Sequence, residues 1–264
     1  MKTQLLLSIM NQTKPQSYIK KMNVSGDYVI INQLTNQKIM PINEKSRGKI
    51  IISLHEKGLS QSRNLAIKNS TDDIGIISDD DMYYVNNYED IIINAYKKYP
   101  KADIIAFVVE HEDKSKEKKV LKEGKVNIFN SLKLSSVQLT FKINSIKNNG
   151  IKFDEMFGSG NKYYMGEENI FLYDCFKKKL NIYYVPVKIG ILKVINESRW
   201  FKGYNGDFFK VKGTVFYRMT KYLYILLILQ FAIRKRNLYK SNMSTLKCIK
   251  YMFEGVKEYK KGEL

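Results

Sequence analysis

Ile74-Gly75-Ile76-Ile77-Ser78-Asp79-Asp80-Asp81 is a short apolar run that ends on three consecutive carboxylates, and it decides the fold. Isoleucines without polar alternation suit a strand covered on both faces, and such strands belong to parallel sheets flanked by helices. The carboxylates then leave the strand at its C-terminal end, where open α/β sheets bind their ligands. Three adjacent acids repel one another. A divalent cation of the Mn2+ or Mg2+ type, which prefers oxygen ligands, relieves the repulsion while bridging to a diphosphate. The plainer alternative for Asp79, Asp80 and Asp81 is a solvated acidic turn.

Similar runs flank this one. Leu5-Leu6-Leu7-Ser8-Ile9-Met10, Tyr28-Val29-Ile30-Ile31, Lys49-Ile50-Ile51-Ile52-Ser53 and Asp103-Ile104-Ile105-Ala106-Phe107 predict further buried strands. The first is too short for a signal peptide or a membrane span. Between them, residues 58–67 predict a helix capped by Ser60, and Asn87 predicts the cap of another that stops at Pro100. Strand and helix alternate, which favours an α/β fold with a mostly parallel central sheet. Residues 111–125 are dense in Lys and Glu and predict a solvated loop or hairpin. Beyond them the pattern predicts an extended Ser136 to Phe141, a helix from Ile143 to Asn148, a flexible break at Gly158-Ser159-Gly160, a helix from Gly166 through Lys179 and a last short strand from Ile182 to Val185.

Composition narrows the function. The chain has 264 residues, 44% of them hydrophobic, with 4 Pro and 15 Gly, enough for one large α/β domain with an appendage and incompatible with a disordered chain. Its two cysteines, Cys175 and Cys248, are far apart, which excludes a disulfide framework and suits a reducing cytoplasm. His55 and His111 are the only histidines and lack partners at metal-ligand spacing, so a histidine zinc site or a Ser-His-Asp triad has no support. No GxxxxGK[ST] loop and no GxGxxG after a strand is present, which removes P-loop kinases and Rossmann dehydrogenases. The net charge is +19, and residues 200–264 hold 14 Lys and Arg against 4 Asp and Glu.

Three segments occur in a telling order: Lys57-Gly58-Leu59-Ser60-Gln61-Ser62-Arg63-Asn64-Leu65-Ala66-Ile67, then Ile74 to Met82 with its three aspartates, then Gly166-Glu167-Glu168-Asn169-Ile170-Phe171. Together they resemble the inverting glycosyltransferases of family 2, of the bacterial surface-polysaccharide type, over about residues 4–205. The resemblance implies a Rossmann-like GT-A domain, the nucleotide-diphospho-sugar transferase fold, over residues 1–205, followed by a helical segment over 206–264. It implies a metal-dependent, inverting transfer of a sugar from a nucleoside-diphosphate donor, UDP by default, to a hydroxyl of a saccharide or polyprenyl-linked acceptor, in capsule, exopolysaccharide or other cell-surface glycan synthesis.

The same resemblance distributes roles. Asp79 and Asp81 form the DxD pair that holds Mn2+ or Mg2+, with Asp81 nearest the metal and Asp79 or Asp80 nearer the ribose. Arg63 meets the donor diphosphate; outside the motif it would read as an exposed helix arginine. Ser8, Asn11 and Asn32 are expected at the nucleotide base, although this chain has Ser8-Ile9-Met10-Asn11 where the family often has Pro-Thr-Tyr-Asn. His55, just past a strand end, is a further diphosphate contact. Glu168 stands at the family's Asp position as general base with Glu167 supporting it, and a purely helix-capping role is the alternative for both. Trp200, the only tryptophan, offers a ring to the acceptor or else packs the junction to the C-terminal segment.

Residues 222–233 form an almost unbroken apolar run fenced by Arg218, Lys221 and Arg234-Lys235-Arg236. It is too short to span a bilayer and suits either the headgroup boundary of an anionic membrane or a core helix against the catalytic domain. The stripe Leu246, Ile249, Met252, Phe253 and Val256 could pair with that helix, lie on lipid or form a homodimer. The expected location is the cytoplasmic, inner face of the cell membrane, with no nucleic-acid partner. The competing functions are a sugar-phosphate nucleotidyltransferase, whose Gly-rich basic N-terminal loop is missing, and a non-catalytic basic binder of membrane or nucleic acid.

Overall fold

The isoleucine- and leucine-rich runs pair into one sheet because each is apolar on both sides and needs cover on both. The computed structural model describes residues 1–116, 120–194, 201 and 203–262. In chain order its elements are β1 (Thr3–Met10), α1 (Ser17–Lys21), β2 (Asp27–Gln33), β3 (Asn43–Ser46), β4 (Lys49–Leu54), α2 (Leu59–Asn69), β5 (Ile74–Asp79), β6 (Met82–Tyr84), α3 (Tyr88–Lys98), β7 (Ile104–His111), β8 (Gly124–Lys125), α4 (Ile128–Ser131), β9 (Leu139–Lys142), α5 (Ile143–Asn148), α6 (Glu167–Lys177), β10 (Ile182–Leu192), α7 (Gly206–Met219), α8 (Tyr224–Arg234) and α9 (Thr245–Gly262). The sheet order is β3-β4-β2-β1-β5-β9-β7-β10-β6, with β8 on β10. Parallel pairs join β4, β2, β1 and β5, and β7 to β10, while β9 runs antiparallel between β5 and β7.

Successive strand residues point to opposite faces of the sheet, as a period of two demands, and both faces are buried. Leu6, Val29 and Ile77 face a core shared with Ala66 of α2 and Phe171 of α6, whereas Leu5, Leu7, Ile30 and Ile76 face Ile92, Ala95 and Tyr96 of α3. The chain runs outward from β1 through β2 to β4, then returns by α2 to β5 on the other side of β1. That reversal of strand order opens a crevice at the C-terminal ends of β1 and β5, the usual ligand position in such sheets.

Several local expectations are corrected. Ser60 does not cap α2: Gly58 is the N-cap, and Ser60 is buried with its hydroxyl donating to the Phe157 carbonyl at 2.7 Å. Asn87 occupies the N-cap of α3 in a left-handed conformation, without a side-chain cap. Residues 136–138 form a 3-10 turn closed by a Ser135–Gln138 capping box, so the strand starts only at Leu139. β10 runs eleven residues straight through Pro186, because register shifts between Tyr184 and Gly190 absorb the missing N–H. The break at residues 158–160 is an ordered turn on the start of α2, with Leu59 N–H donating to the Ser159 carbonyl at 3.0 Å.

The C-terminal helices are built onto the α/β unit. Phe157, Met165, Ile170 and Tyr173 share a core with Phe209 and Val215 of α7, Leu227 and Ile228 of α8, and Met252 and Val256 of α9. Arg218 of α7 donates to Asp154 at 2.6 Å and to Asp174 of α6 at 3.1 Å. α7 and α9 cross at two glycines: a Cβ on Gly213 would meet the Met252 carbonyl oxygen at 2.0 Å, and one on Gly255 the Lys210 carbonyl oxygen at 2.0 Å. Both obstacles are backbone and cannot rotate away. Gly213→Ala should therefore cost about 1–3 kcal/mol in chemical denaturation despite its better helix propensity, because the helices must move apart.

Candidate active site

Four elements converge at the end of β5. β1 and β5 are in register with Ser8 opposite Asp79, which brings the first strand beside the acidic turn. α2 crosses above and contributes Arg63. The start of α6 contributes Glu167 and Glu168, and the turn before β9 contributes Ser136.

Arg63 ties them together. It is 1% exposed. Its guanidinium donates to Glu167 Oε1 at 2.9 Å, to Asp79 Oδ1 at 3.1 Å and to Ser136 Oγ at 2.9 Å, and lies 5.3 Å from the Phe153 ring centroid. Burial works against its charge, but Asp79 and then Glu167 outweigh that and hold it firmly protonated. The neighbourhood acts oppositely on Glu167: burial first, then the adjacent Glu168, push its carboxyl upward, with Arg63 opposing. Glu168 is half-buried and accepts from Asn169 Nδ2 at 3.0 Å. Gly158 closes this corner, since a Cβ there would touch Ser60 Oγ at 3.1 Å and Glu167 at 3.3 Å.

Asp80 and Asp81 form the turn after β5. Asp81 carries a buried Oδ1 with no hydrogen-bond partner, and burial, followed by repulsion from Asp79 and Asp80, pushes its carboxyl up to about 7. An orphaned, mutually repelled carboxylate oxygen is what a hard cation neutralises, and Mg2+-like ions typically take one or two carboxylates alongside substrate phosphates. Among the described residues no group of three or more His, Cys, Asp or Glu converges as a complete metal cage. The donor set fits a cation completed by phosphate oxygens.

Ser8, Asn11 and Asn32, the residues expected at the nucleotide base, each make hydrogen bonds within the protein. Asn32 is fully buried, its amide donating to the Gln12 carbonyl at 2.7 Å and to Ser53 Oγ at 3.2 Å while its oxygen accepts from Gln12 N–H at 3.0 Å. It braces the loop after β1. Asn11, at φ 54°, clasps the loop after β2 by accepting from Thr35 N–H at 2.8 Å and Asn36 N–H at 3.1 Å. Ser8 is buried and accepts from the Ser62 hydroxyl at 2.8 Å, pinning α2 to β1. In this structure all three shape the floor and rim of the crevice. His55 is exposed just past β4. Trp200 lies outside the described residues.

A model of the Glycosyl transferase family 2 matches residues 28–160, half of the chain. The chain belongs to glycosyltransferase family 2. This membership sets aside the nucleotidyltransferase and the non-catalytic binder, and makes the protein an enzyme of the glycosyltransferase class. No curated protein matches the sequence. Among solved structures it is similar to S. aureus TarS residues 1–349 in complex with UDP-GlcNAc, with 13% identity, a TM-score of 0.62, and coverage of 92% of this chain and 74% of that one. The same fragment in complex with UDP gives 14% identity and a TM-score of 0.59 over the same shares. Against the TarS structure of which 43% is covered, identity is 16% over 97% of this chain and the TM-score is 0.57. At such identities the likeness establishes the shared fold, a GT-A-like α/β unit followed by C-terminal helices.

Sequence reasoning missed Ser136, Phe153, Gln33, whose Oε1 accepts from Gly58 N–H at 2.6 Å, and Asn169 as the partner of Glu168 in this glycosyltransferase. Only Asn169, next in sequence to Glu168, was open to inference; the others arrive from distant segments.

Two outcomes follow from the electrostatics. Arg63→Met would leave Glu167 and Asp79 without their buried cation, and a loss of about 3–5 kcal/mol is expected in chemical denaturation at neutral pH. For Asp81 the folded-state carboxyl titrates above its unfolded value, so the folded form binds more protons and stability falls as pH rises from about 4 to about 7. Asp81→Asn should therefore raise the metal-free melting temperature at pH 8, with the gain shrinking toward pH 4; calorimetry across that range checks it.

Proposed function

We propose that this glycosyltransferase moves a sugar, with inversion, from a uridine diphosphate donor to a hydroxyl of a saccharide or lipid-linked acceptor. One observation carries the proposal: the Asp79–Asp81 turn and the carboxylates that open α6 are held in one cluster through the buried Arg63. UDP is favoured over other nucleotides because the similar TarS structures contain UDP and UDP-GlcNAc.

Glu168 is the general base. Glu167 is buried and commits Oε1 to Arg63, whereas Glu168 is half-exposed and oriented by Asn169. The acceptor hydroxyl attacks the anomeric carbon on the face opposite the diphosphate, Glu168 takes its proton, and the bond from that carbon to the diphosphate oxygen breaks with its electrons leaving on UDP. Asp79 or the exposed Asp80 meets the ribose. Arg63 acts on the donor through Asp79, because its two terminal nitrogens donate to Glu167, Asp79 and Ser136. A Mn2+ or Mg2+ ion held by Asp81 with Asp79 would stabilise the charge that develops on the leaving diphosphate. Such transfer fits the building of a cell-surface glycan at the cytoplasmic face of a membrane, where a lipid-linked acceptor is presented.

Thermal melting with UDP, dTDP, GDP or CDP, each with and without Mn2+, tests the donor side. A ligand at 100 times its dissociation constant adds about 2.7 kcal/mol, so UDP should stabilise the wild type with metal and not Asp81→Ala. Stabilisation by none of the four would remove the nucleotide assignment. Glu168→Gln should keep the UDP shift and lose at least ~10²-fold in transfer; near-normal transfer would move the base to Glu167.

A further inference from the structure

α8 is almost uniformly apolar in sequence yet two-sided in place. Leu227, Ile228 and Ala232 are buried, while Tyr222 and Leu223 before the helix and Ile225, Leu226, Leu229 and Ile233 within it are exposed, Leu226 at 63% and Ile233 at 68%. Positions 222, 225, 226, 229 and 233 fall on one outward stripe. An apolar strip of this length on a surface marks an interaction site.

Its surroundings choose the partner. Between Asp207 and Glu254 the chain has ten Lys and Arg and no Asp or Glu. Lys221 precedes the stripe, and Arg234, Lys235 and Arg236 follow it, all exposed. The acids Glu254 and Glu258 of α9 pair with Lys210 of α7 at 3.6 and 2.7 Å. Along another side of α9, Lys257, Lys260 and Lys261 line a groove of about 330 Å³ against Tyr224, Phe253 and Val256. No helix among the described residues is long and apolar enough to cross a membrane. A second copy of this chain would bring like charge against like, and a nucleic acid would leave the apolar stripe wet. An anionic bilayer satisfies both features, since a short helix with cations beside its apolar face lies in the headgroup and acyl boundary.

We propose that the outer face of α8, with the lysine-lined groove beside it, docks the enzyme onto an anionic lipid bilayer. The stripe enters the acyl boundary, and the surrounding lysines and arginines meet lipid phosphates. None of these residues belongs to the cluster around Arg63, and the docking does not depend on which acceptor is used.

Flotation of the full chain with phosphatidylcholine vesicles, with and without ~30 mol% phosphatidylglycerol, tests it at ~0.05 M and ~0.5 M NaCl. The protein should float with anionic vesicles at low salt, at least ~10-fold more than with neutral ones, and less at high salt. Leu226→Glu combined with Ile233→Glu should cut this binding at least ~10-fold while melting temperature and UDP-dependent stabilisation stay unchanged. Lys257→Glu, Lys260→Glu and Lys261→Glu together should weaken anionic-vesicle binding alone. Wild-type protein that melts cooperatively but stays unfloated at low salt overturns the proposal, as does a double variant that floats like wild type. A lipid-independent dimer abolished by the double variant would assign the face to a second copy instead. Loss of UDP binding in the wild type bears on the nucleotide assignment and leaves the flotation result standing.

Discussion

A buried guanidinium needs close carboxylate and hydroxyl partners for its charge, and that constraint organises this glycosyltransferase. Arg63 draws one carboxylate from the end of β5, one from the start of α6 and a hydroxyl from the turn before β9. Desolvation of such a charge is costly, and only close, hydrogen-bonded partners repay it. The three segments are therefore held to hydrogen-bond distances of one another. The carboxylates of β5 and α6 are thereby fixed relative to one another, the kind of pre-organisation that group transfer needs.

The rest of the crevice is built to keep this cluster in place. Ser62 and Ser60, one turn or less from Arg63 on α2, bond Ser8 on β1 and the Phe157 carbonyl, so the helix is fastened both to the sheet and to the segment leading into α6. Asn11 and Asn32 brace the loops after β1 and β2. Ser8, Asn11 and Asn32, expected at the nucleotide base, also hold these loops and α2 in place. The strain left over sits at Asp81, whose buried, unpartnered oxygen and raised carboxyl lie at the open end of β5.

Much of the α/β unit was legible, because buried parallel strands leave isoleucine runs that no other element requires. β1, β2, β4, β5 and β7 follow from those runs, and α5 matches its expected span. The short exposed β3 and the three-residue β6 carry no such signal and are defined by their neighbours' hydrogen bonds. β10 was legible only to Val185, since a proline normally ends a strand and the bulge that rescues it depends on the pairing with β7. At the site, the acidic turn, Arg63 and the Glu167–Glu168 pair are marked by motif, but their mutual distances are not.

The sequence by itself determined the alternation of strand and helix, the delivery of three aspartates at a strand end and the concentration of positive charge toward the C-terminus, because periodicity, adjacency and charge are properties of the chain. Tertiary structure decided that Arg63 is a buried bridge rather than a surface cation, that Asn32 is a strut, and that α8 has a core face and an outer one. A side chain's neighbours across long sequence separations exist only after folding. It is those neighbours that set which polar atom is consumed, which charge is desolvated and which apolar surface remains in water.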